Sequence, residues 1–155
     1  LTIDLDDTLW PVWPTIERAE AVLLDWLGRH APRTAARFDL AAMRALREAV
    51  SRERPPGAHD LSALRREAIA RMLAAGGDAA ALAEPAFEVF FAERQRVEFY
   101  PDALPALQRL AARWPLLALT NGNADLVRIG IAPWFVGSLG ARDAGVGKPD
   151  ARIFA

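Results

Sequence analysis

Residues 1–10 read Leu1-Thr2-Ile3-Asp4-Leu5-Asp6-Asp7-Thr8-Leu9-Trp10. Three apolar or β-branched residues, suited to a strand, run straight into three carboxylates, and the apolar tone then resumes. No Lys or Arg occurs before Arg18. Like charges this close repel, and each is costly to bury unless a cation sits among them. The stretch is either a solvated turn or the end of a buried strand that gathers positive charge from outside its own neighbourhood.

Working outward, Pro11 and Pro14 break the chain, and a long helical region follows. Ile16, Ala19, Val22, Leu23, Trp26 and Leu27 draw one apolar helix face, with Thr15 as N-cap and Gly28 as stop. A second helix runs from Leu40 behind Asp39, and Arg54-Pro55-Pro56-Gly57 ends it as a loop. A third carries Leu61, Leu64, Ala68, Ile69, Met72 and Leu73 and closes at Gly76-Gly77. Asp78 is expected to cap a short alanine-rich piece, and Pro85 to start a helix through Phe87, Phe90 and Phe91. Residues 15–96 thus read as a helical bundle.

The pattern then changes. Pro101–Arg113 is amphipathic, and Leu116–Thr120 is a continuous apolar run of the kind buried on both faces in a parallel sheet. Asn121-Gly122-Asn123 is a turn, a short helix extends to about Ile129, and Phe135–Leu139 is a further strand candidate. Gly140–Gly147 reads as a loop, leading to Lys148-Pro149. This order predicts an α/β fold interrupted by a helical insertion: residues 1–14 and 97–155 form the core, and residues 15–96 the insert. The chain starts without Met on the last residues of a strand and stops in a helical turn, so it reads as part of a longer polypeptide with an incomplete core.

Composition narrows the function. The 155 residues carry 19 basic and 20 acidic side chains, a net charge of −1, which makes no electrostatic case for nucleic acid or an anionic membrane. There is no spanning apolar run and no signal-peptide pattern, and a cytoplasmic location is expected. The absence of cysteine excludes disulfides, thiolate metal sites and a cysteine nucleophile.

Ligands of open parallel sheets bind beyond the carboxyl ends of the strands. Three polar stretches fall there: Asp4–Thr8, Thr120-Asn121-Gly122 and Lys148. Together they supply carboxylates, a hydroxyl with an amide, and an ammonium. Carboxylate oxygens suit Mg2+, which takes one or two of them beside substrate phosphate. Thr120, backbone N–H groups around Asn121, and Lys148 are donors fit to hold phosphoryl oxygens.

In this arrangement the chain resembles the haloacid-dehalogenase-like hydrolase superfamily. Asp4-Leu5-Asp6-Asp7-Thr8 matches its D-x-D-x-T motif, Thr120-Asn121-Gly122 its second motif, and Lys148-Pro149 its third. The helical insertion is similar to the superfamily's first type of α-helical cap. The resemblance implies a Rossmann-like core and a Mg2+-dependent phosphatase. Asp4 would be the nucleophile that forms an aspartyl-phosphate, and Asp6 the acid and then the base. Asp4 by its carboxylate and Asp6 by its backbone carbonyl would hold the metal. Thr120, Asn121 and Lys148 would bind phosphate, with Thr8 and Gly122 in support, while Asp7 would be solvated or act as a cap.

Dehalogenating members attack carbon and need no acid at the second position, so Asp6 favours phosphate-ester hydrolysis. One departure stands out. The superfamily's fourth motif, an acidic pair after another strand, has no counterpart, since neither Asp143 nor Asp150 is suitably placed. Trp10–Trp13, His59-Asp60 and the Trp114–Asn123 phrase resemble a bacterial branch that dephosphorylates a phosphoribitylamino-uracil. On that footing Trp10, His59 and Arg65 are candidate substrate-specificity residues, and the partner is a small phosphorylated metabolite. As residues, His59 reads first as an ordinary loop residue, Arg65 as an exposed helix charge, and Trp10 as domain-junction packing. The rival readings are a haloacid dehalogenase, a phospho-accepting receiver-like module, and a non-catalytic binding descendant. Receiver domains lack such an insertion and carry the phosphorylated Asp on a later strand.

Overall fold

The computed structural model describes residues 1–53 and 59–154. The expected Arg54–Gly57 loop lies outside the described residues. The chain divides into two compact units. One comprises residues 1–15, 57–60 and 95–155, and the other residues 16–56 and 61–94.

The first unit is α/β. Strands β1 (Thr2–Ile3), β2 (Leu117–Thr120) and β3 (Gly137–Gly140) form a parallel sheet in the order β1-β2-β3. Thr2 pairs with Leu117, and Thr120 with Gly140. The alternation of a strand puts Leu116 and Ala118 into one apolar cluster, with Leu5, Trp10, Leu107 and Ile131, and Leu119 into another, with Ala141, Val146 and Ile153. So β2 is buried on both faces, as its unbroken apolar run requires. Helices α6 (Ala103–Ala111), α7 (Leu126–Ile129) and α8 (Ala141–Ala144) complete this unit. The third strand begins two residues later than its apolar pattern predicts, and the expected Gly140–Gly147 loop contains α8, closed by Gly145 at φ 67°.

The second unit is helical. It is built from α1 (Val12–His30, of which the unit takes the part from Ile16), α2 (Pro32–Arg37), α3 (Leu40–Glu53), α4 (Leu61–Gly76) and α5 (Ala83–Arg94). Its core gathers Leu23, Leu27, Met43, Ile69, Leu73, Phe87 and Phe90. Several local expectations are corrected. The first helix starts at Val12, before Thr15, and it passes through Gly28 to His30. Thr15 is inside the first turn, where its hydroxyl donates to Pro11 O at 3.3 Å. Pro14 and Pro85 are each the third residue of a helix, where the missing N–H had no intrahelical partner to lose. Asp78 accepts from the amide and hydroxyl of Thr34, both at 2.7 Å, and so caps α2, a helix the sequence pattern did not reveal. Asp39 does cap α3, accepting from Ala42 N at 2.8 Å.

Arg65 is not an exposed helix charge. It is 6% exposed and ion-paired at 3.2 Å with Glu20, itself 2% exposed. Its guanidinium carbon lies 4.1 Å from the Phe90 ring centroid. Burial pulls its pKa down to about 10 against the attraction of Glu20. Among the described residues no helix is long and apolar enough to cross a membrane.

Candidate functional site

The carboxyl end of β1 leads into a tight loop made by the acids themselves. Thr8 N and Leu9 N both donate to Leu5 O, at 3.1 and 2.8 Å, while Asp7 N donates to Trp10 O at 2.8 Å. Asp7 takes the left-handed conformation, φ 58°, which Asp tolerates better than most residues. Its Oδ1 accepts from Val12 N at 2.8 Å, so Asp7 caps α1. That is the capping alternative offered for it. Thr8 is exposed and closes the loop through its backbone.

Asp4 and Asp6 are held differently. Asp4 Oδ1 accepts from Leu5 N at 2.8 Å and lies 2.6 Å from Lys148 Nζ. The positive charge missing from the first seventeen residues therefore arrives from position 148. Lys148 Nζ also donates to Leu119 O at 2.8 Å, which fixes the ammonium over the end of β2. Asp6 Oδ1 accepts from the indole Nε1 of Trp10 at 2.9 Å. Trp10 has no exposed surface and meets Phe99 edge to face, with ring centroids 5.5 Å apart. The expectation of junction packing for Trp10 gives way to a core residue beneath Asp6, joined to it by an isolated parallel bridge.

At the end of β2, Thr120 is 4% exposed and its Oγ1 accepts from Gly122 N at 2.9 Å. Gly122 is needed for space, because a Cβ there would overlap Asp6 Oδ2 and come within 3.3 Å of Thr120 Oγ1. Asp6 Oδ2 is thus turned toward the Thr120–Gly122 turn. The Asn121 side chain is spent on Lys148: Oδ1 accepts from Lys148 N at 2.7 Å and Nδ2 donates to Lys148 O at 3.0 Å. The Asn121 amide therefore grips the backbone that carries the lysine, which leaves the backbone N–H groups around Asn121, as expected, to meet a phosphoryl group.

His59 lies beside this loop, as a Cβ on Gly147 would meet its Nδ1 at 3.3 Å and Asn121 Oδ1 at 2.9 Å. Neighbouring Asp60 pairs with Arg142 at 3.2 Å. The remaining acids have other partners. Asp150 is gripped by Arg152 Nε at 3.0 Å and Nη2 at 2.7 Å, which hold its carboxyl down at about 2. Asp143 accepts from Gly140 N at 3.4 Å.

Among the described residues no three His, Cys, Asp or Glu side chains converge as a metal cage. The oxygen donors that are present, the half-exposed Asp4 carboxylate and the Asp6 carbonyl, match a cation that keeps most of its water and shares phosphate.

The sequence reading missed the Trp10 bond to Asp6, the Leu119 carbonyl under Lys148, and the work done by Asn121. Only the first had a local signal, an indole four residues after an acid.

Comparison with known proteins agrees with this architecture. The phosphatase YigB of Escherichia coli strain K12, described as acting on 5-amino-6-(5-phospho-D-ribitylamino)uracil, is 33% identical over 158 residues; the match spans 99% of this chain and 66% of YigB. A phosphoserine phosphatase of Thermus thermophilus is 34% identical, over 99% of this chain and 72% of its own length. The crystal structure of a 2-haloacid dehalogenase from Pseudomonas syringae pv. Tomato DC3000 superposes with a TM-score of 0.88 at 40% identity, covering 99% of this chain and 68% of that one. The profile of the haloacid dehalogenase-like hydrolases matches residues 1–155 throughout, and the chain belongs to that family.

Proposed function

We propose that the chain carries the catalytic face of a Mg2+-dependent phosphatase acting on a small phosphorylated metabolite of the cytoplasm through an aspartyl-phosphate. The observation that carries this reading is Asp6, a second carboxylate two residues after Asp4, held by the Trp10 indole and turned toward the Thr120–Gly122 turn. A leaving alkoxide needs such an acid, whereas halide needs none.

Asp4 attacks phosphorus. Lys148, paired with Asp4 and tied to Leu119 O, offsets charge as the phosphoryl group approaches. Thr120, whose hydroxyl hydrogen stays available while its Oγ1 accepts from Gly122 N, and backbone N–H groups around Asn121 hold phosphoryl oxygens. Asp6 gives its proton to the departing oxygen and then takes one from the water that cleaves the intermediate. The Asp4 carboxylate and the Asp6 carbonyl would hold Mg2+, which when bound supplies charge neutralisation at the phosphoryl group. The helical unit would serve as a cap that admits small substrates. The phosphatase relatives favour a phosphorylated ribityl-uracil or phosphoserine, and a sugar phosphate or flavin mononucleotide is chemically equivalent at the reacting end.

A second reading, hydrolysis of a 2-haloacid, draws on the Pseudomonas syringae structure. The deciding experiment offers the full-length protein phosphoserine, flavin mononucleotide, sugar phosphates and 2-chloropropionate, with and without Mg2+. Metal-dependent phosphate release that is lost in Asp6→Asn supports the proposal. Chloride release without phosphate release, or an Asp6→Asn variant of undiminished phosphatase rate, refutes it.

A further inference from the structure

The assignment of Asp6 as proton donor leaves open what keeps the carboxyl aimed. We propose that Trp10 is the positioning residue of the general acid: its buried indole N–H holds Asp6 Oδ1 and keeps the carboxyl aimed at the phosphoryl site. This rests on the phosphatase reading above.

Three observations converge. The indole Nε1 donates to Asp6 Oδ1 at 2.9 Å. The indole is fully buried against Phe99, Leu5 and Leu107, so the donor is carried by packed core and not by a mobile side chain. The other oxygen faces Gly122, where only the lack of a Cβ makes room for it, and Thr120 Oγ1 flanks the same space. Rotation about the Asp6 side chain is thus limited from two sides, by a donor on Oδ1 and by the Gly122 backbone beside Oδ2.

The step balances. An Asp4 carboxylate oxygen forms its bond to phosphorus while the ester P–O bond breaks. The bonding pair leaves on the alcohol oxygen, which takes the proton from the Asp6 carboxyl. Asp6 is left as a carboxylate that still accepts from Trp10.

The test replaces Trp10 by Phe and, through nonsense suppression, by 3-benzothienylalanine, which keeps the bicyclic shape and exchanges N–H for sulfur. Single-turnover release of the leaving group is measured for p-nitrophenyl phosphate and for alkyl phosphates of rising alcohol basicity. Misaligned acid catalysis predicts a loss that grows with the basicity of the leaving group, reaching about tenfold or more for alkyl esters, with KM little changed. Independently, the indole 1H–15N resonance absent from Trp10→Phe identifies Trp10 in the wild-type spectrum. In Asp6→Ala that resonance should move upfield and exchange faster.

Equal losses on all esters, no loss on any, or an indole resonance indifferent to Asp6→Ala would overturn the Trp10 assignment alone. If Trp10→Phe fails to fold, the benzothienyl variant and the Asp6→Ala spectrum still decide. Wild-type protein that releases phosphate from no ester refutes the phosphatase reading, and the role given to Trp10 falls with it.

Discussion

Replacing Asn121 by Ala removes two hydrogen bonds that grip one residue's backbone from both sides, at 2.7 Å to Lys148 N and 3.0 Å from Lys148 O. Each is exposed and contributes at most about 1 kcal/mol net, so the grip contributes up to about 2 kcal/mol. If all of that serves to hold the Lys148 ammonium against Asp4 and Leu119 O, its loss lowers kcat/KM by up to about 30-fold. The assay is a double-mutant cycle on phosphate release by the full-length protein, with Asn121→Ala, Lys148→Ala and the pair. Because Asn121 acts through Lys148, the double variant should be no slower than Lys148→Ala alone. Additive losses would show that Asn121 meets the substrate itself and would refute this reasoning. So would an Asn121→Ala variant of wild-type rate. Asn121→Asp should fall between, since it keeps the acceptor for Lys148 N while turning a second oxygen toward Lys148 O.

Glu20→Ala leaves the buried Arg65 guanidinium without its carboxylate and should cost about 3–5 kcal/mol, read as a lowered urea midpoint. Arg65→Met should cost less, because Glu20 keeps Arg44 at 2.6 Å; a reversed order would contradict the structural role given to Arg65. Gly122→Ala places a methyl on Asp6 Oδ2 and should cut kcat while the melting temperature falls only slightly, so an unchanged kcat would speak against the tight approach. Hydrogen bonds from Thr34 hold the Asp78 carboxyl below its ordinary value of 3.8. Its stabilisation is therefore present above that value and lost as pH falls through the lower folded-state value. Asp78→Ala should lower the melting temperature at neutral pH, with the gap closing in acid; a gap that persists at low pH would exclude the ionic cap.

What could be read in the residue order was whatever rested on short-range pattern. The apolar run Leu116–Thr120 and the acids behind Ile3 located two strand ends, and the helical stretches stood out by their apolar stripes. Partnerships across long separations had no such signal. Arg65 and Arg66 look alike in a helix, yet Arg65 is buried because Glu20 lies opposite, while Arg66 reaches Glu84 at the surface. Asp78 looked like a cap for the segment after it, and it caps a helix 44 residues earlier. Asn121 stood out only as part of a turn beyond a strand end, and nothing local shows that its amide faces the backbone of residue 148. The two prolines misled for another reason: a proline in the first turn marks a start that lies upstream of it.

The salt bridge between Asp4 and Lys148 joins residues 144 positions apart, and it forms beyond strands that pair only in parallel. Thr2 meets Leu117 across the whole helical insertion. Helices gain most of their contacts from near neighbours in the chain, whereas this sheet must wait for its ends to meet, and closing such a loop is slow. The face that carries Asp4 and Lys148 should therefore be among the last parts of the molecule to assemble in folding and among the first to open under denaturant. Loss of the Asp4–Lys148 contact would then report early unfolding of the sheet while the helical signal is still intact.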